Sequence, residues 1–193
     1  MDFTSIIFEK QNIRNLACVG QDLSHKEFSE CTFTKCDLSG CDFSHSSFLD
    51  CVFEDCNLSN IKVYNCSFQG VRFESCKLLG VIMSEVNTLL VDWTFDKCNI
   101  LLCDFSRLEM KRSVFTECEI RETDFANVNL AESDFSGSDL AGSKFQEANL
   151  EKTNFVGASN YYIDPIQNKL KGARFSSPEV LALLAIFGIK VEY

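Results

Sequence analysis

Large apolar residues recur at every fifth position of this 193-residue chain. From Leu23 to Met83 every fifth residue is apolar, and a second unbroken set runs from Phe95 to Phe155. An α-helix would repeat every 3.6 residues and a flat strand every two, so neither regular element explains the spacing. Internal repetition this strict predicts a repeat architecture in which each short unit packs against its neighbours.

The residues around each large apolar residue suggest the shape of one unit. The residue two places earlier is small or compact, and the residue one place earlier is often Asp or Asn, as in Cys36, Asp37 and Leu38. In an extended chain the first and third of these side chains point to one side and the second to the other. Each unit is therefore predicted to be a three-residue strand followed by two turn residues. The small first and large third side chains of the strand point into the core, and the polar second side chain points outward.

A longer period, four units in length, gives the number of sides. Positions 33, 53 and 73 are all Phe, positions 38, 58 and 78 are all Leu, and positions 28, 48 and 68 are all Phe. Four five-residue units thus complete one coil of twenty, and successive coils stack as parallel ladders. We expect an all-β fold, a four-sided parallel β-helix built from such coils, followed by a short α-helix near the C-terminus.

The register slips once, because Met83 and Phe95 are twelve residues apart instead of ten. Treating two residues as extra places Phe95 above the Phe33 column and Ile100 above the Leu38 column, so residues 84–93 hold a bulge or short loop. One interpretation is a tolerated defect that is covered by Trp93 and its apolar neighbours. The other is a recognition element, because loops on rigid scaffolds often carry function; Trp93 and Leu90 are its candidate contact residues.

Ten of the eleven cysteines, all but Cys18, stand two places before a large apolar residue. Ser, Thr, Ala or Val fills the same place elsewhere, so these cysteines are expected to behave as small buried hydrophobes. Stacked pairs such as Cys36 and Cys56 have side chains pointing in parallel, which disfavours a disulfide. Five-residue spacing also fits no usual zinc pattern, and we expect free thiols, no metal and no cofactor.

Charge and motifs restrict the function. The formal net charge is −10, and residues 23–60 and 117–151 hold seven and nine acids against two bases each. Such acidity argues against direct nucleic-acid binding. It indicates either that the charge keeps the protein soluble or that the protein binds a basic protein partner. The chain has two histidines and none of the common catalytic motifs. We expect a cytoplasmic protein that is not an enzyme and has no membrane segment.

The C-terminal residues predict a helix over about 178–187. Ser177 suits an N-cap, Pro178 the first helical position and Gly188 the left-handed stop. The helix is apolar all round, and a rod end can cover only one of its faces. Two explanations remain, a helix folded under its own loop or a homodimer formed through this segment. The candidate interface residues are Val180, Leu181, Leu183, Leu184, Phe187 and Ile189.

Units such as "CDLSG", "CDFSH", "SDFSG" and "ANLEK" resemble the signature of the pentapeptide repeat proteins over about 23–158. The resemblance implies a right-handed quadrilateral β-helix. It divides the chain into a repeat domain, 1–158, with a register break near 84–94, and a C-terminal capping segment, 159–193, that carries the dimerisation helix.

The tail "NYYIDPIQNKLKGARFSSPEVLALL" resembles the C-terminal segment of the albicidin-resistance and quinolone-resistance (Qnr-like) members. That resemblance implies a dimeric mimic of duplex DNA that acts on DNA gyrase or topoisomerase IV and protects them from inhibitors. The candidate partner-binding acids are Asp104, Asp124, Glu119, Glu122 and Asp139. The alternative is a scaffold or regulatory module that binds an unrelated protein through the flat faces.

Overall fold

The structure is a computed structural model that describes residues 3–87 and 92–189. The chain winds into a four-sided parallel β-solenoid of about eight coils. Strands of neighbouring coils pair in parallel, as Phe28 pairs with Phe48 and Phe48 with Phe68. The predicted coil of four five-residue units is therefore confirmed.

The strands are two or three residues long and lie on three of the four sides. Face 1 contains Ile7–Glu9, Glu27–Ser29, Ser47–Leu49 and Ser67–Gln69. Face 2 contains Asn12–Arg14, Thr32–Thr34, Val52–Glu54, Arg72–Glu74, Thr94–Asp96, Val114–Thr116, Asn154–Phe155 and Arg174–Phe175. Face 3 contains Lys77–Leu79, Asn99–Leu101 and Glu119–Arg121. Face 4 is joined by single bridges, at Asp22, Asp42, Lys62, Ile82, Asp104, Asp124 and Lys144.

The large apolar residues fill the interior as stacked ladders. On face 2 the rings of Phe33, Phe53 and Phe73 lie parallel, with centroids 4.7 and 5.3 Å apart. All three are almost fully buried. Parallel rings at this spacing gain dispersion energy along the whole rod in addition to the apolar surface that they remove from water. The columns predicted from the sequence are thus the core of the molecule.

The small inward residues form a second ladder made of hydrogen bonds. Most of the polar ones donate to the carbonyl oxygen of a large apolar residue one coil earlier: the Cys31 Sγ lies 3.3 Å from the Phe8 oxygen, and the Ser138 Oγ lies 2.7 Å from the Phe115 oxygen. Several also accept a backbone N–H from the preceding coil, as Ser138 does from Cys118 at 2.9 Å. We call this set the inner donor ladder.

The cysteines are buried as expected, and the inner donor ladder gives most of them a second role as hydrogen-bond donors. All eleven are buried and free. Most of their thiols take the place of serine and threonine hydroxyls, because a thiol is a weak donor and fills a similar volume. They therefore satisfy buried carbonyl oxygens, which would otherwise lose a hydrogen-bond partner in the core.

The register break adds two residues to one coil. Phe73 pairs with Phe95 and Leu78 with Ile100, so these partners are two positions further apart than partners in the other coils. A short 3₁₀ helix, Met83–Glu85, precedes the break. The Asn87 N–H still donates to the Cys66 oxygen at 2.8 Å, and the Asp92 side chain accepts from the Gly70 N–H at 2.9 Å. The Thr94 N–H donates to the Val71 oxygen in the shifted register, so both extra residues fall after Asn87 and before Thr94.

The solenoid continues beyond the predicted boundary at 158. Asn149 bridges to Lys169, and Phe175 stacks on Phe155 with ring centroids 5.1 Å apart. Asn168 joins the inner donor ladder, with its Nδ2 2.9 Å from the Phe145 oxygen. The capping segment therefore continues the stacking of the coils, because it keeps inward-facing residues at the required places without keeping the five-residue sequence pattern.

The C-terminal helix spans Glu179–Phe187, within the predicted range, but it is a 3₁₀ helix instead of an α-helix. Pro178 occupies the N-cap position and no side chain caps the helix, so the predicted Ser177 cap does not form. Gly188 closes the helix with a φ of 63°, as predicted. Ala182 and Leu183 pack against the end of the core. No helix of the described residues is long and apolar enough to cross a membrane.

Candidate functional site

The five candidate acids lie on two neighbouring faces and the edge between them. Asp104 and Asp124 are adjacent rungs on face 4, and Glu119 and Asp139 are adjacent rungs on face 3. Glu122 lies in the turn that joins these faces and has a φ of 50°. The fold therefore brings the five residues together on one side of the rod, although they come from different coils. We call this the acidic surface.

Three members of the acidic surface, Asp104, Asp124 and Asp139, also hold the backbone of their own turns. The Oδ1 atoms of Asp104 and Asp124 each accept the backbone N–H two residues later, from Ser106 and Ala126, both at 2.8 Å. This short loop from side chain to backbone explains why Asp or Asn so often precedes the large apolar residue. Each of these carboxylates thus has at least one oxygen engaged in the fold.

Asp104 is held in its charged form. Partial burial opposes ionisation, but hydrogen bonds from Ser106 and from the Ser84 hydroxyl, at 2.9 Å, outweigh it and lower the pKa of Asp104. Hydrogen bonds to a carboxylate favour the ionised state. Asp104 therefore contributes a full negative charge at neutral pH.

Asp139 differs from the other acids because it is paired. Its Oδ2 lies 2.8 Å from the Arg121 Nη2, and its Oδ1 accepts from the Asn160 Nδ2 at 2.8 Å. Burial tends to raise the pKa of Asp139, but these partners lower it overall. Because Arg121 offsets its charge, Asp139 is the least available of the five to a partner.

Glu119 and Glu122 are the exposed members of the acidic surface. The Glu119 Oε2 accepts from the Asn99 Nδ2 at 3.2 Å, one coil below. Their long side chains leave the carboxylates in solvent, where a basic partner could reach them. These two residues are therefore the strongest candidates among the five for contact with a partner.

Trp93 does not keep its predicted role. It is 1% exposed, and its indole N–H donates to the Phe68 oxygen at 2.8 Å. It occupies an inward position of face 2 and belongs to the inner donor ladder, in the place that Cys51 fills two coils earlier. Trp93 therefore supports the defect interpretation of the break. Leu90 lies outside the described residues.

The predicted interface residues of the C-terminal helix are partly open to solvent. Val180, Leu181, Leu183 and Leu184 are half-buried, and Phe187 and Ile189 are 54% and 55% exposed. No residue of the helix is fully buried. The helix thus covers the end of the core with one side and leaves an apolar side uncovered.

The structure offers little to small-molecule chemistry. The interior is filled by the ladders, and the surface depressions are open; one of about 450 Å³ lies beside Lys144, Tyr162 and Asp164. Within 3–87 and 92–189, no group of three or more His, Cys, Asp or Glu side chains could hold a metal ion. His25 and His45 stack with ring centroids 4.9 Å apart on the surface. The outward-facing side chains are therefore the candidate functional groups.

Sequence reasoning missed three exposed apolar residues beside the acidic surface. Tyr64, Ile82 and Leu102 are 59%, 47% and 54% exposed. Ile82 forms the face 4 rung below Asp104, and Leu102 precedes Asp104 by two residues. The sequence did contain a signal, because each is apolar at an outward or turn position, where the repeat usually has a polar residue.

Comparisons with known proteins agree with this architecture. The family model of the pentapeptide repeat region matches residues 26–91 and 86–155. Comparison with curated protein sequences gave no match.

Similar solved structures cover nearly the whole chain. One trypsin-treated variant of QnrB1, a plasmid-mediated fluoroquinolone resistance protein, has a TM-score of 0.68 at 21% identity and covers 98% of this chain and 100% of its own. A second such variant has a TM-score of 0.67 at 21% identity, covering 97% and 98%. HetL, a pentapeptide repeat protein involved in heterocyst differentiation regulation in the cyanobacterium Nostoc sp. strain PCC 7120, has a TM-score of 0.64 at 16% identity, covering 88% and 84%.

At these identities the structural likeness shows the fold, and it confirms the right-handed quadrilateral β-helix. The family model covers more than half of the residues, including both sides of the register break. The chain belongs to the pentapeptide repeat family.

Proposed function

We propose that this chain is a non-enzymatic, protein-binding solenoid that acts as a dimeric mimic of DNA and binds DNA gyrase or topoisomerase IV. The observation that carries the proposal is the acidic surface, displayed on a rod whose interior is filled. A protein of this form acts through its outside. The solved structure of QnrB1, a fluoroquinolone resistance protein of the same fold, supports resistance to gyrase inhibitors as the outcome.

The density of charge limits how the mimicry can work. A dimer doubles the net charge of −10 to −20. Two rods placed end to end, at about 4.8 Å per coil, would be about 75 Å long and carry roughly one net charge per 4 Å. Duplex DNA carries one per about 1.7 Å. The net charge of the whole dimer therefore resembles that of DNA only weakly, and mimicry depends on a region where negative charge is concentrated, such as the acidic surface.

The C-terminal helix supports the dimer. Its uncovered apolar side contains Phe187 and Ile189, which would cost free energy if left in water. A second copy that presents the same side would bury both at a two-fold axis.

Phe187→Asp should therefore give a monomer in sedimentation analysis at micromolar concentration. Val19→Asp, an equally exposed site at the other end of the rod, should leave the mass unchanged, and a monomeric wild type would contradict the dimer.

Supercoiling by purified gyrase tests the partner directly. The wild-type protein should bind gyrase and change supercoiling or its inhibition by a quinolone, and the effect should weaken as salt rises. Absence of binding, inhibition and protection at low salt would remove this function.

Charge variants separate binding from folding. Glu119→Lys with Glu122→Lys should weaken gyrase binding at least tenfold without lowering the melting temperature, because both side chains are exposed. Asp124→Asn is the matched control for the fold, because Asn can still accept the Ala126 N–H. Unfolding of the Glu119 and Glu122 variant would show that these acids are structural.

A regulatory module that binds another protein is the second candidate function. The fold of HetL, a protein involved in differentiation regulation, matches this chain nearly as well as the fold of QnrB1 does. The register break also adds only two residues to the coil. Normal folding and dimerisation without any effect on gyrase would favour this candidate.

A further inference from the structure

Three exposed apolar residues near the middle of the rod, Tyr64, Ile82 and Leu102, are called the apolar patch. Ile82 lies on face 4, Leu102 at the edge between faces 3 and 4, and Tyr64 at the edge between faces 4 and 1. Ile82 is the rung between Lys62 and Asp104 in the face 4 column. Tyr64 and Ile82 line one groove of about 240 Å³, together with Ile61, Val63 and Gly80. Leu102 lies one coil above Gly80, because Leu79 pairs with Leu101.

Gly80 lines the groove without a side chain of its own. The edge column that contains Gly80 has Asn60 below and Leu102 above. A Cβ atom on Gly80 would lie 2.8 Å from the Asn60 Oδ1. A side chain at position 80 would therefore press on Asn60 and narrow the groove.

Charge around the apolar patch indicates the kind of partner. Between positions 60 and 127, the outward positions of face 4 and the turns at its two edges carry four acids and three bases; the acids are Glu85, Asp104, Glu122 and Asp124, and the bases are Lys62, Arg107 and Arg121. Two of the bases are engaged by acids outside this set: the Lys62 Nζ lies 3.6 Å from the Asp42 Oδ2, and the Arg121 Nη2 lies 2.8 Å from the Asp139 Oδ2. An apolar centre with an acidic rim favours a basic surface that has an aliphatic residue at its middle.

We propose that the apolar patch is the centre of the partner-binding surface and receives an aliphatic side chain of a protein segment whose neighbouring residues are Lys or Arg. Buried apolar anchors supply most of the energy of a protein interface, whereas charges at the rim mainly set orientation and association rate. Duplex DNA has no aliphatic side chains and cannot make this contact. Binding through the apolar patch would therefore be distinct from electrostatic mimicry of DNA. The proposal rests on the proposed function in that it uses the same surface.

Variants of the patch test the proposal with gyrase holoenzyme. Ile82→Ser and Leu102→Ser should each weaken binding at least tenfold. Leu49→Ser, at an exposed leucine on face 1, should change it less than twofold.

Gly80→Asn should also weaken binding by filling the groove, since Asn tolerates the φ of 66°. Gly40→Asn, on the same edge, is its control, because a Cβ there meets only Gly20 backbone atoms at 3.7 Å or more.

A second experiment does not depend on gyrase. Two synthetic peptides, Lys-Arg-Leu-Arg-Lys and Lys-Arg-Ser-Arg-Lys with blocked ends, would be titrated into the wild-type protein and followed by backbone amide NMR. The leucine peptide should shift the amide signals of Tyr64, Ile82 and Leu102, and Ile82→Ser should abolish its advantage over the serine peptide.

The outcomes separate the two proposals. If gyrase binds wild type and the patch variants equally, or if the two peptides behave alike, the apolar patch is not a binding centre although the proposed function stands. If gyrase does not bind but the leucine peptide is selected at the patch, gyrase is the wrong partner and the patch proposal stands.

Discussion

The residue two places before each large apolar residue illustrates how a buried polar group is accommodated in this core. Cys51, Ser138 and Thr153 occupy this place in different coils and make the same contact, a donation to the carbonyl oxygen one coil earlier. The buried carbonyl oxygen requires a small side chain that donates a hydrogen bond, and either a thiol or a hydroxyl group can supply it.

Ser138→Ala tests the inner donor ladder. It removes the donor to the Phe115 oxygen and the acceptor for the Cys118 N–H. Leaving two buried groups unsatisfied should lower the free energy of unfolding by about 1–3 kcal/mol, measured by urea denaturation. Ser138→Cys should cost less, because a thiol fills this role elsewhere in the rod. Equal losses for the two variants would contradict the ladder.

Thiol reactivity should be low in the native protein. Burial raises the pKa of Cys41 and Cys51 to about 12 and that of Cys103 to about 11. A thiol reacts through its thiolate, which is scarce at such values. Ellman's reagent should therefore label almost no cysteine in native protein and all eleven after denaturation. Rapid labelling of a native cysteine would show that the rod opens locally.

Acid should destabilise the turns that contain aspartate. A hydrogen bond from the Ser44 side chain, with further contributions from its N–H and Lys62, lowers the pKa of Asp42 below 3.8. Because the folded pKa is the lower one, this stabilisation is present above about pH 4 and is lost as pH falls through the folded pKa. Melting temperature should therefore fall between pH 4 and pH 2.

Asp42→Asn is the control for this pH dependence. Asn57 already accepts the Ser59 N–H at 3.2 Å in the same way. The variant should keep the turn and lose part of the acid sensitivity, and a variant with the full wild-type pH dependence would assign that dependence to other groups.

At the scale of elements, the sequence predicted most of the rod but did not show its last coil. The columns Phe33–Phe53–Phe73 and Leu38–Leu58–Leu78 were readable because identical residues recur at every fourth unit. The last coil was not, because Tyr161, Ile163 and Asn168 face inward at irregular spacing. The turn conformation was also hidden, since Lys10, Glu122 and Arg107 adopt positive φ values that sequence alone assigns to Gly or Asn.

The candidate site was predictable only in its location. Spacing placed Asp104 with Asp124 and Glu119 with Asp139, because each pair is separated by one whole coil. Spacing could not show that Arg121 pairs with Asp139, since their separation falls short of a whole coil and they meet only through side-chain geometry. Nor could it show that Trp93 points inward, because the register across the break depends on where the two extra residues lie.

Trp93 should stabilise the break. Its ring lies at right angles to those of Phe68 and Phe95, at centroid distances of 6.2 and 6.4 Å. Trp93→Ala should leave a cavity and an unpaired Phe68 oxygen, and should cost about 3–5 kcal/mol by urea denaturation. Trp93→Phe should cost less because it fills most of the space. A loss below about 1 kcal/mol for Trp93→Ala would reopen the recognition interpretation.

At the scale of the whole molecule, each coil is stabilised by the coils on either side. Phe125 lies between Phe105 and Phe145, with ring centroids 5.3 and 5.0 Å away. In a solenoid a defect in one coil removes the template for two others. Damage to a central coil therefore divides the rod instead of staying local.

Phe125→Asp should prevent folding, because it places an unpaired charge among stacked rings. Circular dichroism should show loss of the β signal and of a cooperative melt. Leu102→Asp, which places the same charge at an exposed leucine, should fold normally. A soluble Phe125→Asp protein with a cooperative melt would contradict this account of the core.

The regular pairing of coils also makes sequence distance equivalent to rotation about the rod axis. Inserting one whole coil would lengthen the rod by about 4.8 Å and leave every face aligned. Inserting a single five-residue unit would turn everything downstream by a quarter of a revolution, so that Asp104 and Asp124 would move off the side that carries Tyr64 and Ile82. The break between Asn87 and Thr94 adds two residues without such a turn, because Phe95 returns to the column of Phe73. Length can therefore vary in whole coils, whereas any surface that spans several coils depends on keeping the angular phase of the chain.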